Sequence, residues 1–385
     1  MKKTLLATAL TAAVAAPSVS AIELYNDGKD TMSVGGWLDA RVVNHGGDTE
    51  VVNGASRINF AFNRDMGNGW NSFMKFEWGV NPVGESKLIY NADSKFQAQS
   101  GKGQFMHNRL GYVGIGNEDL GSISIGKQWS VWYDVVGNTN IHHVWDGNTS
   151  GTYTFHSDGG VNGTGRADNA IQYRNSFGDF DIALQGQFKK QEVELKNITS
   201  TDGSVNKVRF NGTVGFSSKY QVNDDLKILV GANTGKFEGV IKGQAVEETD
   251  YIYGASFTYG GNWDEQGSYL SVNVNQQQNH DVDNAGYLIR DAWGLESLAG
   301  YTFQNNIRLM ASYNILDGQS DVAGINHNFK RQFMTAGIHY IWGKTTMYFE
   351  VRKDLSEFSG ADQNWVELMK QGERDGLGFG VRYYI

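Results

Sequence analysis

Cysteine is absent from all 385 residues. That removes disulfides, thiolate metal sites and a thiol nucleophile together. Proline is nearly absent, with Pro17 and Pro82 the only two. Proline cannot donate to a strand ladder and is confined to edges and bulges, so its scarcity suits a chain made mostly of central strand. A positive charge balance is also lacking. The 33 Lys and Arg against 42 Asp and Glu leave −9, which argues against nucleic acid as a partner. After the first residues, nothing approaches the roughly eighteen consecutive apolar residues of a spanning helix, so a helical membrane protein is excluded. These absences leave a transmembrane β-barrel open. Strands that alternate lipid-facing and lumen-facing residues average out as polar.

What is present begins with a leader. Lys2 and Lys3 form a basic start, 4–16 is a short apolar run, and Val19-Ser20-Ala21 is a small-residue cleavage site. This pattern predicts a secretory signal peptide over 1–21 and a mature chain starting near Ile22, with 22–385 as a single domain. Removing the two leader lysines takes the charge from −9 to −11. The 49 glycines and 12% aromatics fit a strand-and-turn protein.

Alternation runs through almost every later segment. In 57–63, Ile58, Phe60 and Phe62 interleave with Arg57, Asn59, Ala61 and Asn63. In 179–188, Phe180, Ile182, Leu184, Gly186 and Phe188 interleave with Asp181, Ala183, Gln185 and Gln187. In 207–220 the apolar set is Val208, Phe210, Val214, Phe216 and Tyr220, and in the last strand it is Leu377, Phe379, Val381, Tyr383 and Ile385. Period two places each set on one face. Short polar connections such as Asp65-Met66-Gly67-Asn68-Gly69 alternate with long ones at 42–54, 81–104, 131–165, 189–206, 237–248, 278–288, 316–328 and 354–374. The expected fold is all-β: an antiparallel transmembrane barrel of about sixteen strands, short turns at one end and long loops at the other. Aromatics at strand ends, among them Tyr220, Tyr259, Tyr301, Trp342 and Tyr383, are expected to form interfacial girdles.

One segment breaks the pattern. The stretch 131–165 shows neither a period of two nor a helical period. It carries His142, His143 and His156 together with Asp146 and Asp158. A long irregular segment in so regular a chain is functional or disordered. Its histidines and acids could supply two or three metal ligands, but adjacent side chains on extended backbone diverge, so His142 and His143 are poorly placed to share an ion and no metal is expected. A pH-dependent conductance below about pH 6.5 is the more modest expectation.

Several segments carry a family resemblance. They are Gly121-Ser122-Ile123-Ser124-Ile125-Gly126-Lys127 running into Tyr133-Asp134, Gly165-Arg166 followed by Tyr173-Arg174-Asn175-Ser176, and the ending Gly380-Val381-Arg382-Tyr383-Tyr384-Ile385. With these, essentially the whole mature sequence resembles the general trimeric porins of Gram-negative bacteria. The resemblance implies a homotrimer in the outer membrane, in contact with its lipid and lipopolysaccharide. Small hydrophilic solutes and ions would diffuse passively through it, with no cofactor. It further implies that 131–165 is the third long loop, folded inward as a constriction. Arg57, Arg109 and Arg166 would match the family's arginine ladder, with Arg41 and Lys75 on lumen faces nearby. Alternation independently places the three arginines opposite Ile58, Leu110 and Ala167. In the loop, Trp145 and Gly147 match the family's aromatic and glycine, but Val144 stands where its acid is expected. Asp146, then Asp158, become the candidates for the acidic side. Lys127 lies on the apolar face with Ile123, Ile125 and Trp129. By resemblance this is the subunit-interface strand, and Glu85 or Asp93 of the loop reaching over a neighbour would pair with the lysine. A family porin usually ends in phenylalanine, and this chain ends in Ile385.

Two other functions compete. A substrate-selective porin would need a binding track, and Trp37, on the same face as Asp39 and Arg41, offers an apolar ring in the lumen. An outer-membrane barrel enzyme needs a histidine beside a nucleophile or acid pair. His107 and His339 are far apart in the chain, so no catalytic residue is assigned.

Overall fold

The structure is a computed structural model describing residues 21–84, 86, 105–145, 147–188, 191–194, 207–241, 243–318 and 327–385. The first half of the wall is built by β1 (Ile22–Asn26), β2 (Asp30–His45), β3 (Asp48–Asn53), β4 (Arg57–Gly67), β5 (Trp70–Val80), β6 (Met106–Asn117), β7 (Gly121–Trp129), β8 (Arg166–Phe177), β9 (Phe180–Gln187) and β10 (Gln191–Glu194). The second half is built by β11 (Lys207–Gln221), β12 (Leu226–Ile241), β13 (Gln244–Gly260), β14 (Gly267–Val282), β15 (Leu288–Thr302), β16 (Ile307–Gly318), β17 (His327–Trp342), β18 (Thr345–Asp354), β19 (Glu357–Gly360) and β20 (Gly376–Tyr384). Among the described residues two α-helices interrupt them, α1 (Val131–Val136) and α2 (Gln363–Gly372).

Every pairing is antiparallel between neighbours, and β2 closes the ring on β20 from Trp37↔Tyr384 to His45↔Gly376. β1, β3, β10 and β19 are short additions to longer strands. The other sixteen form the closed barrel. Closure removes every edge, which a sheet in lipid requires. No described helix is long and apolar enough to cross a membrane.

The outward face is the apolar one. Ile123, Ile125, Leu184, Val230, Phe379 and Val381 are among the large apolar side chains left exposed. Asn68 and Gly69 join β4 to β5 with φ of 56° and 76°. Positive φ at both central residues is the geometry of a tight hairpin turn matched to strand twist.

The structure departs from strict alternation at bulges. Between Phe210 and Thr213 the register shifts, and Gly212 there has φ +112°. An extra residue flips the faces of what precedes it. Val208 and Phe210 therefore point inward and are fully buried, whereas Val214 and Phe216 face out. They had been expected on one face. The segment 237–248, expected as a long loop, is instead strand over 237–241 and 244–248. Pairing of β12 with β13 continues to Ile241↔Gln244. The segment 131–165, expected to lack any helix, contains α1. Its six residues are too few to show a period, and Ser130 caps it by accepting from the Tyr133 N–H.

Apolar packing inside the barrel is organised by that segment. Phe155 and Val161 pack with Val208, Phe210 and Phe237. Val144 and Trp145 pack with Val43, Val52 and Tyr348, and Trp132, Val135 and Val136 with Leu229 and Ile252. At the mouth, Trp365, Val366 and Met369 of α2 cover Leu316 and Phe329. A core inside a membrane barrel means the lumen is partly filled by folded chain.

Candidate functional site

The segment 131–165 leaves β7 and returns to β8 with its ends joined. The Ser130 N–H donates to the Gly165 carbonyl at 2.8 Å, and the Arg166 N–H to the Asp158 carbonyl at 2.9 Å. Between them the chain crosses the lumen and docks on distant strands.

Two buried wall carboxylates receive it. Glu350 of β18 accepts the backbone N–H of His143 at 2.8 Å, Val144 at 2.8 Å and Trp145 at 3.2 Å, and is 3.0 Å from His339 Nε2. Glu296 of β15 accepts the N–H of Thr149 and of Ser150, each at 2.9 Å, and the Thr139 hydroxyl at 2.7 Å. Both carboxylates are fully buried. Backbone donors of a loop buried against the wall must be satisfied there, and charge-assisted bonds do so strongly. Farther on, His280 is held between Asp250 at 2.5 Å and the Gly151 carbonyl at 2.8 Å. Asp281 accepts the Phe155 N–H at 2.7 Å.

The basic residues gather on another part of the wall. Arg41 and Arg382 share Asp39, at 3.2 and 2.7 Å, and the Tyr348 hydroxyl donates to the same carboxylate at 2.5 Å. Arg57 and Arg109 share Glu77, at 3.8 and 2.9 Å. Arg109 is the extra residue of a bulge, since Glu77 pairs with Leu110 and Trp78 with Asn108. Arg57 lies 3.8 Å over the Trp37 ring and Arg382 lies 4.7 Å from it. Lys75 is on the same sheet and only half-buried. The arginines do not stand free in the lumen. Arg41, Arg57 and Arg109 are each less than 10% exposed. Four guanidinium groups thus share two carboxylates here.

Arg166 and Asp158 are placed differently from the sequence expectation. Arg166 is fully buried at the base of the loop, with Nε 3.3 Å from Asp158. Asp158 also takes Lys127 Nζ at 2.8 Å. It faces the loop base, bonded to its cations, rather than standing across a gap from them. The two cations hold its carboxyl below the usual aspartate value against the cost of burial. Lys127 also meets Asp168 at 2.7 Å and the Arg166 carbonyl at 3.1 Å. The register shift between Gly126 and Gln128 turns it toward these partners, so its own chain neutralises it. The candidates Glu85, Asp93 and Asp146 lie outside the described residues.

Two of the three loop histidines, His142 and His143, are less available to protons than expected. His142 and His143 are 4% and 3% exposed. Burial pushes His142 down to about 4 and His143 well below its ordinary value. A protonation step between pH 5 and 8 is therefore not expected from either.

Sequence reasoning missed Glu296, Glu350, Asp39 and Arg382. Their signal was present: each is charged on the inward face of an alternating strand. Nothing local, however, marks Glu350 as the acceptor for a loop some two hundred residues earlier.

A closed antiparallel barrel with an apolar outside, a polar inside and a chain segment folded into its lumen is a transmembrane channel. The chain belongs to the Gram-negative porin family, whose profile matches residues 7–361. Outer membrane protein F of Serratia marcescens is 24% identical over 414 residues, covering 100% of this chain and 99% of that one. Outer membrane protein U of Vibrio parahaemolyticus serotype O3:K6 (strain RIMD 2210633) is 27% identical over 265 residues, 68% of each chain. Among solved structures, Salmonella typhi OmpF in complex with daunomycin superposes with a TM-score of 0.71 at 19% identity, covering 94% of this chain and 100% of that one. The trimer form of OmpT of Vibrio cholerae superposes with a TM-score of 0.58 at 13% identity, covering 93% and 100%. The protein is a porin of the outer membrane and not an enzyme.

Proposed function

We propose that this porin passes small hydrophilic solutes and ions by passive diffusion, and that its selectivity is set between the inserted loop and the basic wall. The observation carrying this is the docking of 139–150 on Glu296 and Glu350, while Arg41, Arg57, Arg109, Arg382 and Lys75 hold their charge on β2, β4, β6, β20 and β5. Fixed charge at a narrow, low-dielectric passage sorts ions and orients dipolar solutes. Asp146 is the proposed acid on the loop side. Reversal potential in a salt gradient tests the reading. Arg109→Ala should shift the wild-type value toward cations and Asp146→Asn toward anions. If neither moves it, the constriction lies elsewhere.

The same reading includes a homotrimer with its contacts on β6 and β7, where Val113, Ile115, Ile123 and Ile125 are all exposed. A relative has been solved in a trimer form, and contact with outer-membrane lipid and lipopolysaccharide follows for the remaining perimeter. Cleavage of 1–21 is part of it as well. The N-terminal residue of the protein isolated from outer membranes should be Ile22.

A second reading, a substrate-selective track, is favoured by one feature. Trp37 stacked under Arg57, and Trp263 with Arg308 at 4.3 Å, pair apolar rings with cations inside the lumen. Saturable block of current by a carboxylate or phosphate solute would support it, and unsaturating, size-dependent permeation would reject it.

A further inference from the structure

The seam between the loop and the wall contains a cluster whose imidazoles the pore function leaves unused. His143 of the loop, His339 of β17 and Glu350 of β18 each offer a ligating atom, and these atoms lie within 4.8 Å of one another. All three residues are buried. Neither ring nitrogen of His143 has a hydrogen-bond partner, and Nδ1 of His339 has none. Buried polar atoms are almost always satisfied, so three orphaned imidazole nitrogens at one spot need a reason. The His143 ring lies 4.6 Å from the His339 ring at 68°, edge to face, and 4.5 Å from Tyr348.

We propose that His143, His339 and Glu350 bind a divalent transition-metal ion, with Zn2+ the best match, and that the ion clamps the inserted loop to the barrel wall. Two imidazoles and one carboxylate are a recognised zinc donor set, leaving a fourth position for water. The geometry needs little change. His339 Nε2 and Glu350 Oε1 are 3.0 Å apart, within hydrogen-bond reach. Two ligands at about 2.0–2.1 Å on a tetrahedral ion stand roughly 3.3 Å apart. An ion there takes the Nε2 lone pair, the single imidazole proton then sits on Nδ1, and the pair opens by a few tenths of an ångström. His143 then turns one free nitrogen toward it. Glu350 keeps Oε2 for the N–H groups of Val144 and Trp145, so the loop stays docked while the ion is bound. Soft thiolate-seeking ions are disfavoured because the chain has no cysteine, and a hard ion such as Mg2+ gains nothing from imidazole.

The sequence argument against a metal concerned His142 and His143, whose side chains diverge. The structure supplies His143 with a different partner, His339, from 196 residues later in the chain (339 − 143). Such a site joins a loop residue to two wall residues, so an ion there couples binding to loop mobility.

Calorimetric titration of Zn2+ into the metal-stripped, full-length mature protein in detergent tests the proposal. One ion per chain is expected, with affinity falling at least about tenfold in His143→Gln and in His339→Gln. His156→Gln, outside the cluster, should stay within twofold of the unmodified protein. In single-channel recordings Zn2+ should quiet open-channel current fluctuations, and EDTA should restore them. Variants that all bind within threefold of the unmodified protein, or no heat above the buffer blank, would overturn the site. Should either variant fail to fold, the visible spectrum of the Co2+-loaded unmodified protein decides. Intense four- or five-coordinate bands support the site, and a weak six-coordinate spectrum rejects it. These binding measurements are independent of ion selectivity, so they stand or fall apart from the proposed role of the basic wall.

Discussion

Two parts of the lumen wall handle charge in opposite ways. On β2, β4, β6 and β20 the arginines outnumber the acids, and each carboxylate serves two guanidinium groups, Asp39 for Arg41 and Arg382, Glu77 for Arg57 and Arg109. On β15 and β18 the acids Glu296 and Glu350 are occupied by backbone N–H groups of the inserted loop. The first part pairs side chain with side chain, two guanidinium groups to each acid. The second spends its charge on holding chain. A buried carboxylate is stable in either setting because ionised acceptors are favoured by several donors, whatever their origin. The difference is in which partners hold each acid, arginine side chains in one part and the loop backbone in the other.

This contrast can be broken in measurable steps. The largest effect is expected from Glu350→Ala. It orphans three backbone donors and the His339 contact at once. At roughly 1–3 kcal/mol for each buried donor left unmade, the loss is about 4 kcal/mol or more. A lowered urea midpoint in detergent and a noisy, enlarged conductance should appear together. An unchanged midpoint would mean the loop is held by its apolar contacts alone.

Asp39→Asn comes next, because it leaves Arg41 and Arg382 without their shared anion while one oxygen can still accept. Breaking a buried pair costs about 3 kcal/mol. The urea midpoint should fall, but the loop should stay docked and channel noise should not rise. Noise equal to that of Glu350→Ala would erase the distinction between the two parts of the wall.

A smaller change is expected in selectivity. Glu77→Gln removes the acid between Arg57 and Arg109. A unit charge about 8 Å from a permeating ion in water is worth about 0.5 kcal/mol, slightly over twofold in permeability ratio. Reversal potential should move toward anions by that ratio. Movement toward cations would show that the arginines collapse onto other partners.

The smallest effect belongs to the rim. Asp375 accepts from Lys353 Nζ at 2.6 Å and from the Asp354 N–H at 2.9 Å, and the lysine bond holds its carboxyl below the usual value. A depressed carboxylate stabilises the fold fully above its unfolded-state pKa of about 3.9, and that contribution is lost as pH falls through the lower folded value. Asp375→Asn should therefore lower the urea midpoint slightly at pH 7 and not at all at the acid end of the titration. A difference that grows on acidification would refute the assignment.

Reading the chain alone went far for the wall. Alternation such as Ile58, Phe60 and Phe62, the near lack of proline, and turns such as Asn68-Gly69 specify strands, faces and hairpins, because these depend on neighbours two to four residues away. The bulges escaped. Gly212 and Arg109 each shift a face by one residue, and only pairing with the next strand shows it. The site was legible in part. The loop stood out as irregular, and alternation put Arg41 and Arg57 on inward faces, but their sharing of Asp39 and Glu77 was not visible.

By itself, then, the sequence determined a closed barrel of alternating strands with an apolar outside, because lipid on one side and water on the other act on every second residue. The tertiary structure alone decided where 131–165 rests. Its anchors Glu296 and Glu350 lie more than 140 residues away along the chain. No local pattern encodes contacts made only after the ring has closed and brought β15 and β18 beside a loop that leaves β7.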